Sequence, residues 1–205
     1  MRKSSKPQLS LQRETKRLII RPLQADDYLQ WRNAFLYLQK PKNQYDFSPR
    51  TASQLTKSKY RSILKEQNAN RECDSYYDFA VFLKSNSTFI GLISVMNVSR
   101  GSFQNASFGY RLFHEYWGQG FGKEAAKAGI DIAFRTLKLH RLESGIEISN
   151  RPSIALAKSL KMRKEGIRKR YLYLGGRWLS LVYFAINCEE VGIRFQGKPE
   201  SSARI

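Results

Sequence analysis

The spacing of hydrophobic positions along the chain changes several times, and each change marks an element. Residues 17–23 carry a short apolar run (Leu18, Ile19, Ile20) between basic residues, which predicts a strand. From Ala25 the spacing turns helical. Tyr28, Trp31, Phe35 and Leu38 recur every three to four residues, and Asp26 and Asp27 stand in the first turn, where the helix dipole favours acids. Residues 40–53 are polar and read as a loop, and 54–69 as a second, more weakly amphipathic helix. Three strand-like runs follow at 76–84, 89–98 and 106–113. The turns between them, Ser85-Asn86-Ser87 and Ser99-Arg100-Gly101, have hairpin composition, so an antiparallel meander is expected.

Beyond the meander the chain passes Trp117 into three glycines, Gly118, Gly120 and Gly122. It then enters a helix whose small and apolar residues fall at 125, 128, 129, 132 and 133. A strand at 141–149 follows. Residues 150–160 form a short helix, with Pro152 near its start and Ser153, Leu156, Ala157 and Leu160 on one face. Residues 163–174 and 178–187 close the pattern as a hairpin around Gly175 and Gly176. No internal repeat and no second domain is visible. The expected organisation is a basic flexible tail at 1–14, one domain at 15–188 and a polar tail at 189–205.

The order strand, glycines, helix is the most informative feature. Glycines allow a tight turn with close backbone approach, and a helix start offers unpaired N–H groups and partial positive charge, so an anion such as pyrophosphate fits there. Three loop types share this look. A dinucleotide site would find an acid about twenty residues on in Glu143, but the antiparallel meander upstream argues against it. The phosphate loop of nucleotide hydrolases is excluded, because Lys123 is followed by Glu124 rather than Ser or Thr.

Composition narrows the partners. Among 205 residues, 36 Lys and Arg face 17 Asp and Glu, a formal charge of +19. This fits either an anionic partner (a phosphorylated cofactor, RNA or the ribosome, or an anionic membrane surface) or a solubilising surface, since the basic residues are spread along the chain with no block of five or six together. The two cysteines, Cys73 and Cys188, lack metal-ligand spacing and no metal site is expected. With neither a membrane-length apolar run nor a secretory leader at the start, the expected location is cytoplasmic, without membrane insertion.

Five motifs together resemble the GNAT family of acetyl-CoA-dependent N-acetyltransferases, in its RimJ/RimL type. They are residues 15–23, Phe108 to Leu112, Tyr116 to Ala125, Asn150-Arg-Pro-Ser153, and Tyr171 to Trp178. The resemblance implies an α+β fold in α/β/α layers: a mixed, mostly antiparallel sheet, bent and splayed, flanked by helices. It also implies that Leu112 and Phe113 border the pantetheine arm of acetyl-CoA. The loop Trp117, Gly118, Gln119, Gly120, Phe121, Gly122 and Lys123 would hold the pyrophosphate, and Asn150 would bond the pantetheine.

The reaction is attack of a neutral amine on a thioester, which requires a proton acceptor, an oxyanion donor and an acid for the thiolate. By the resemblance, a backbone N–H near Leu112 serves the oxyanion and Ser153 the thiolate. The acid some relatives carry in the last hairpin corresponds to Leu172, which leaves Glu147, Glu115 or a water-mediated base as the candidate proton acceptor. Lys161 and Met162 stand where relatives have Gly-Phe, and Leu179, Ser180 and Leu181 replace acidic or His residues, which disfavours cationic acceptors. The expected acceptor is a protein N-terminal α-amine of a ribosomal-protein kind. A small-molecule amine, or an acyl-CoA-binding or RNA-associated module with reduced catalysis, are the alternatives.

Overall fold

The computed structural model describes residues 11–196. Eight strands form one mixed sheet in the order β1-β2-β3-β4-β5-β6-β8-β7. They are β1 (Arg13–Glu14), β2 (Leu18–Arg21), β3 (Tyr76–Leu83), β4 (Phe89–Ser99), β5 (Asn105–Leu112), β6 (Arg141–Glu147), β7 (Arg163–Leu174) and β8 (Arg177–Asn187). Four helices accompany them: α1 (Tyr28–Leu36), α2 (Lys57–Glu72), α3 (Phe121–Asp131) and α4 (Arg151–Ser159). All pairings are antiparallel except β5 with β6. That exception follows from the helical crossover between them, since parallel neighbours need a long connection.

Alternation along the strands separates two cores. Leu18, Ile20, Phe79, Val81, Ile93 and Phe108 face α3 and α4, while Ala80, Phe82, Phe89 and Phe113 join Trp31, Phe35 and Tyr60 of α1 and α2 on the opposite face. Close approach of α3 depends on Gly129, where an added Cβ would lie 2.5 Å from Ile93 Cγ2 and 3.1 Å from Phe108 Cε2. The second core includes no residue of β6, β7 or β8. That stretch of sheet is left for the site described below.

Several boundaries differ from the sequence reading, each for a local reason. Arg13 and Glu14, expected in a flexible tail, pair with Ile20 and Ile19, and Arg13 Nε bonds Asp131 Oδ2 at 2.7 Å. At the other end Ile193 and Phe195 pack against the first core. The remaining tail residues, 1–10 and 197–205, lie outside the described residues. Lys161, which stands where a helix-ending glycine was expected, takes φ 64°. It closes α4 through Lys161 N–H to Lys158 O (3.0 Å) and Met162 N–H to Ala157 O (3.1 Å), the two bonds of a Schellman cap. Met162 is buried, as its core assignment required. No helix among the described residues is long and apolar enough to cross a membrane.

Candidate active site

The site begins where β5 and β6 part. Their pairing runs only from Asn105 to Ser107 against Arg141 to Glu143. Ser144 Oγ then donates to Phe108 O at 2.7 Å, and beyond it the strands separate. Phe113 N–H donates to Ile90 O of β4 at 3.0 Å, so by alternation the peptide groups of Leu112 and Tyr110 turn the other way, toward the gap. Trp117 Nε1 donates to Leu112 O at 2.9 Å, which fixes that carbonyl and leaves the Leu112 N–H pointing into the gap. Phe113 itself does not join the site. Its amide is taken by β4, and its ring is buried against Phe35, Phe47 and Phe89.

The glycine loop follows at once. Gly118 and Gly120 adopt φ of 74° and 80°, conformations that cost an L-residue with a side chain energy, and a Cβ on Gly118 would meet nothing within 4 Å. At Gly118 the loop therefore borders open space, whereas at Gly120 Arg17 lies 3.4 Å from an added Cβ. Gly120 is the N-cap of α3, and Glu124 N–H to Gly120 O (3.1 Å) closes the first turn, so the amides of Phe121, Gly122 and Lys123 have no partner within the helix. Arg17, in the bend just before β2, braces the loop. It donates to Gln119 O at 3.0 Å, pairs with Glu124 at 2.7 Å and lies 4.2 Å over the Phe121 ring. A Cβ at Gly122 would lie 3.4 Å from Leu156 and 3.9 Å from Leu112 side-chain atoms, so the loop adjoins both the end of β5 and α4. Lys123 is exposed at the mouth. These features suit the pyrophosphate and pantetheine of acetyl-CoA: open space at a glycine turn, helix-start amides without a helical partner, and a gap between strands with peptide groups facing it.

A cavity of about 230 Å³ fills the gap. Its lining includes Phe108, Gly109 and Tyr110 from β5, Ser144 to Glu147 from β6, and Asn150 and Ser153 from the start of α4. Leu172, Leu174, Leu179 and Leu181 of the closing hairpin and Tyr45 complete it. Ser153 and Glu147 thus share one cavity although different elements carry them. Asn150 is the N-cap of α4, its side-chain oxygen accepting from Ser153 N–H at 3.2 Å. Ser153 Oγ donates to Tyr110 Oη at 3.2 Å, and Tyr110 Oη donates to Ser153 O at 2.9 Å. Burial pushes the Tyr110 phenol above its ordinary range, partly offset by the Ser153 hydrogen bond, so its proton stays on at neutral pH.

Glu147 ends β6 with its side chain only 14% exposed and ringed by donors. Tyr45 Oη (2.8 Å) and Gln44 Nε2 (3.3 Å) bond Oε2, and Ser149 Oγ (3.0 Å) and Arg177 Nη2 (3.4 Å) bond Oε1. Tyr45 and Gln44 lie in the polar segment 40–53, which carried no site signal in the sequence. Arg111 anchors that segment, donating to Tyr45 O at 2.9 Å and to Asp46 O. A buried contact of 2.5 Å between His114 Nδ1 and Asp46 Oδ2 holds it from the other side. Glu115, the other candidate carboxylate, lines a separate cavity of about 440 Å³ beside α1 and is absent from the lining of the gap. Of the residues the sequence missed, only Arg111 next to Tyr110 carried a visible cue, as a charge on a strand beside the gap.

Fold and site together define the class. The family model for the acetyltransferase (GNAT) domain matches residues 17–163, and the chain belongs to that family. Among its relatives is the [ribosomal protein uS5]-alanine N-acetyltransferase of Escherichia coli, 30% identical over 173 residues, covering 84% of this chain and 88% of that protein. The probable N-acetyltransferase YjcK of Bacillus subtilis is 34% identical over 118 residues, 58% of this chain; the match spans 65% of that relative's length. In three dimensions, the Mycobacterium smegmatis RimJ structure in complex with CoA-disulfide superposes with a TM-score of 0.73 at 26% identity, over 85% of this chain and 83% of that one.

Proposed function

We propose that this protein is an N-acetyltransferase that moves acetyl from acetyl-CoA to a protein N-terminal α-amine. The observation that carries the reading is the single cavity in the β5–β6 gap, where Ser153, Tyr110 and Asn150 on one side meet Glu147 on the other. Acetyl-CoA held by the glycine loop supplies an activated acetyl carbonyl. The Leu112 N–H is the donor for the oxygen charge that develops on that carbonyl. Ser153 Oγ is the proton source for the departing sulfur once its hydrogen turns from Tyr110 Oη to the thiolate, while Tyr110, whose own hydrogen is held by the Ser153 carbonyl, positions the start of α4. Glu147 accepts the amine proton, and Tyr45 and Ser149 hold its two oxygens in place.

The cavity argues for an α-amine over a polyamine. Its one carboxylate is Glu147, already paired with Arg177, and its remaining hairpin wall is four leucines. An α-amine with pKa near 7.7–8.0 offers a neutral fraction at physiological pH, which a polyamine or lysine at about 10.4 does not. Free-thiol release from acetyl-CoA checks this across short peptides with free N-termini, spermidine and an amino sugar. Turnover with peptides and little with spermidine supports the reading; preference for spermidine overturns the acceptor assignment. In the same reading the basic surface brings the enzyme to a ribosomal or RNA-bound substrate.

A further inference from the structure

The closing hairpin has two faces, and the cleft uses only one. Leu172 pairs with Leu179 and Tyr173 with Trp178. Because successive side chains alternate, Leu172, Leu174 and Leu179 turn into the cavity while Tyr173 and Trp178 turn outward. Both rings are 60% exposed and lie together, centroids 5.3 Å apart. β7 is the edge strand of the sheet, and the chain is exposed throughout from Ile167 to Trp178. Between 163 and 178 stand six basic residues and one acid. Arg163 and Arg177 are engaged by Glu165, Glu190 and Glu147, whereas Lys164, Lys169 and Arg170 enter no salt bridge among the described residues.

A long exposed edge with two aromatic rings is a surface that natural chains normally cover or blunt. A second copy is a poor occupant, because pairing two such hairpins would bring two strongly positive segments together. A membrane is also a poorer fit, because Leu172 and Leu174, though 41% and 61% exposed, line the cavity on the face opposite the rings, so one surface does not present both. Exposed rings on a strand pair that also carries cations without salt bridges match single-stranded nucleic acid, whose bases stack on aromatics while its phosphates take the charge. We propose that the outer face of the β7–β8 hairpin is a docking surface for single-stranded RNA. The arrangement deepens the proposed function, since the same hairpin holds the acceptor cleft on its inner face and would deliver an RNA-bound protein N-terminus beside it.

Fluorescence anisotropy with a labelled twelve-nucleotide single-stranded RNA tests the surface without requiring acetyl transfer, so failure of one reading does not imply failure of the other. The wild type is expected to bind, with Trp178 fluorescence quenched as a base stacks. Tyr173→Ala with Trp178→Ala should weaken binding by about tenfold or more. The triple variant Lys164→Glu, Lys169→Glu, Arg170→Glu, confined to exposed positions, should weaken it at least as much and lower the salt slope by about 2. The acetyl-CoA thermal shift of both variants should match the wild type, showing an intact fold. Unchanged RNA affinity in both variants overturns the proposal. So does wild-type binding to phosphatidylglycerol vesicles without RNA binding, or a dimer that dissociates in the variants while RNA affinity stays constant.

Discussion

The two sides of the β5–β6 gap are built in different ways. On the side proposed to hold the cofactor the groups on offer are backbone: amides of a glycine turn, a helix N-terminus and a strand edge, fixed by local conformation and by Arg17. On the acceptor side they are side chains brought from afar, with Tyr45 bonded to Glu147 across 102 residues and Arg177 to Gln44 across 133. Backbone sites tolerate sequence change at many positions but not a misplaced side chain. Side-chain networks fail one group at a time. Substitutions on the two sides should therefore separate binding from turnover.

The largest effect on cofactor affinity is expected at Gly118. Gly118→Asp keeps a left-handed backbone that Asp tolerates but puts a carboxylate in the open space before the loop, and the acetyl-CoA dissociation constant should rise on the order of thirtyfold, about 2 kcal/mol, by calorimetry. Glu147→Gln should leave that constant unchanged and cut kcat/KM for peptide acceptors by roughly a hundredfold. Tyr45→Phe, removing one of its donors, should have a smaller effect of the same kind. Ser153→Ala should lower kcat by about tenfold at constant cofactor affinity. Single-turnover kinetics checks this, and equal loss of affinity would make the residue part of the binding wall.

The smallest effect concerns the brace behind the loop. Burial alone would raise the Glu124 carboxyl, but hydrogen bonds from Thr15 Oγ1, Arg17 N–H and the Arg17 guanidinium outweigh it and hold Glu124 below its ordinary value of 4.5. Its stabilisation is thus present above the unfolded value and lost as pH falls through the folded one. Glu124→Gln should lower Tm at pH 7 by a small amount, and the gap from wild type should close as the pH is taken below 4.5. A constant gap would leave packing as its role.

The same contrast governs what could be read from the chain. The meander, the glycine loop, α4 and the closing hairpin follow from periodicity and turn chemistry, which are local, and the structure places them within a few residues of expectation. Ser153 and Glu147 stand in one cavity as their motif and strand positions suggested. Tyr45, Gln44 and the Asp46–His114 contact were invisible because their partners lie far away in sequence and a polar loop has no period. Phe113 was misplaced for a subtler reason: adjacent strand residues point opposite ways, and one step past Leu112 turns both amide and ring into the neighbouring strand and core.

Thermal denaturation with and without acetyl-CoA tests the central claim most directly. A ligand at a hundred times its dissociation constant adds about 2.7 kcal/mol, which for a chain of this size raises Tm by roughly 5–11 °C. The account predicts a rise of that order for the wild type at millimolar acetyl-CoA and little for Gly118→Asp. No rise in the wild type, or an equal rise in both, would contradict a glycine loop that holds the cofactor.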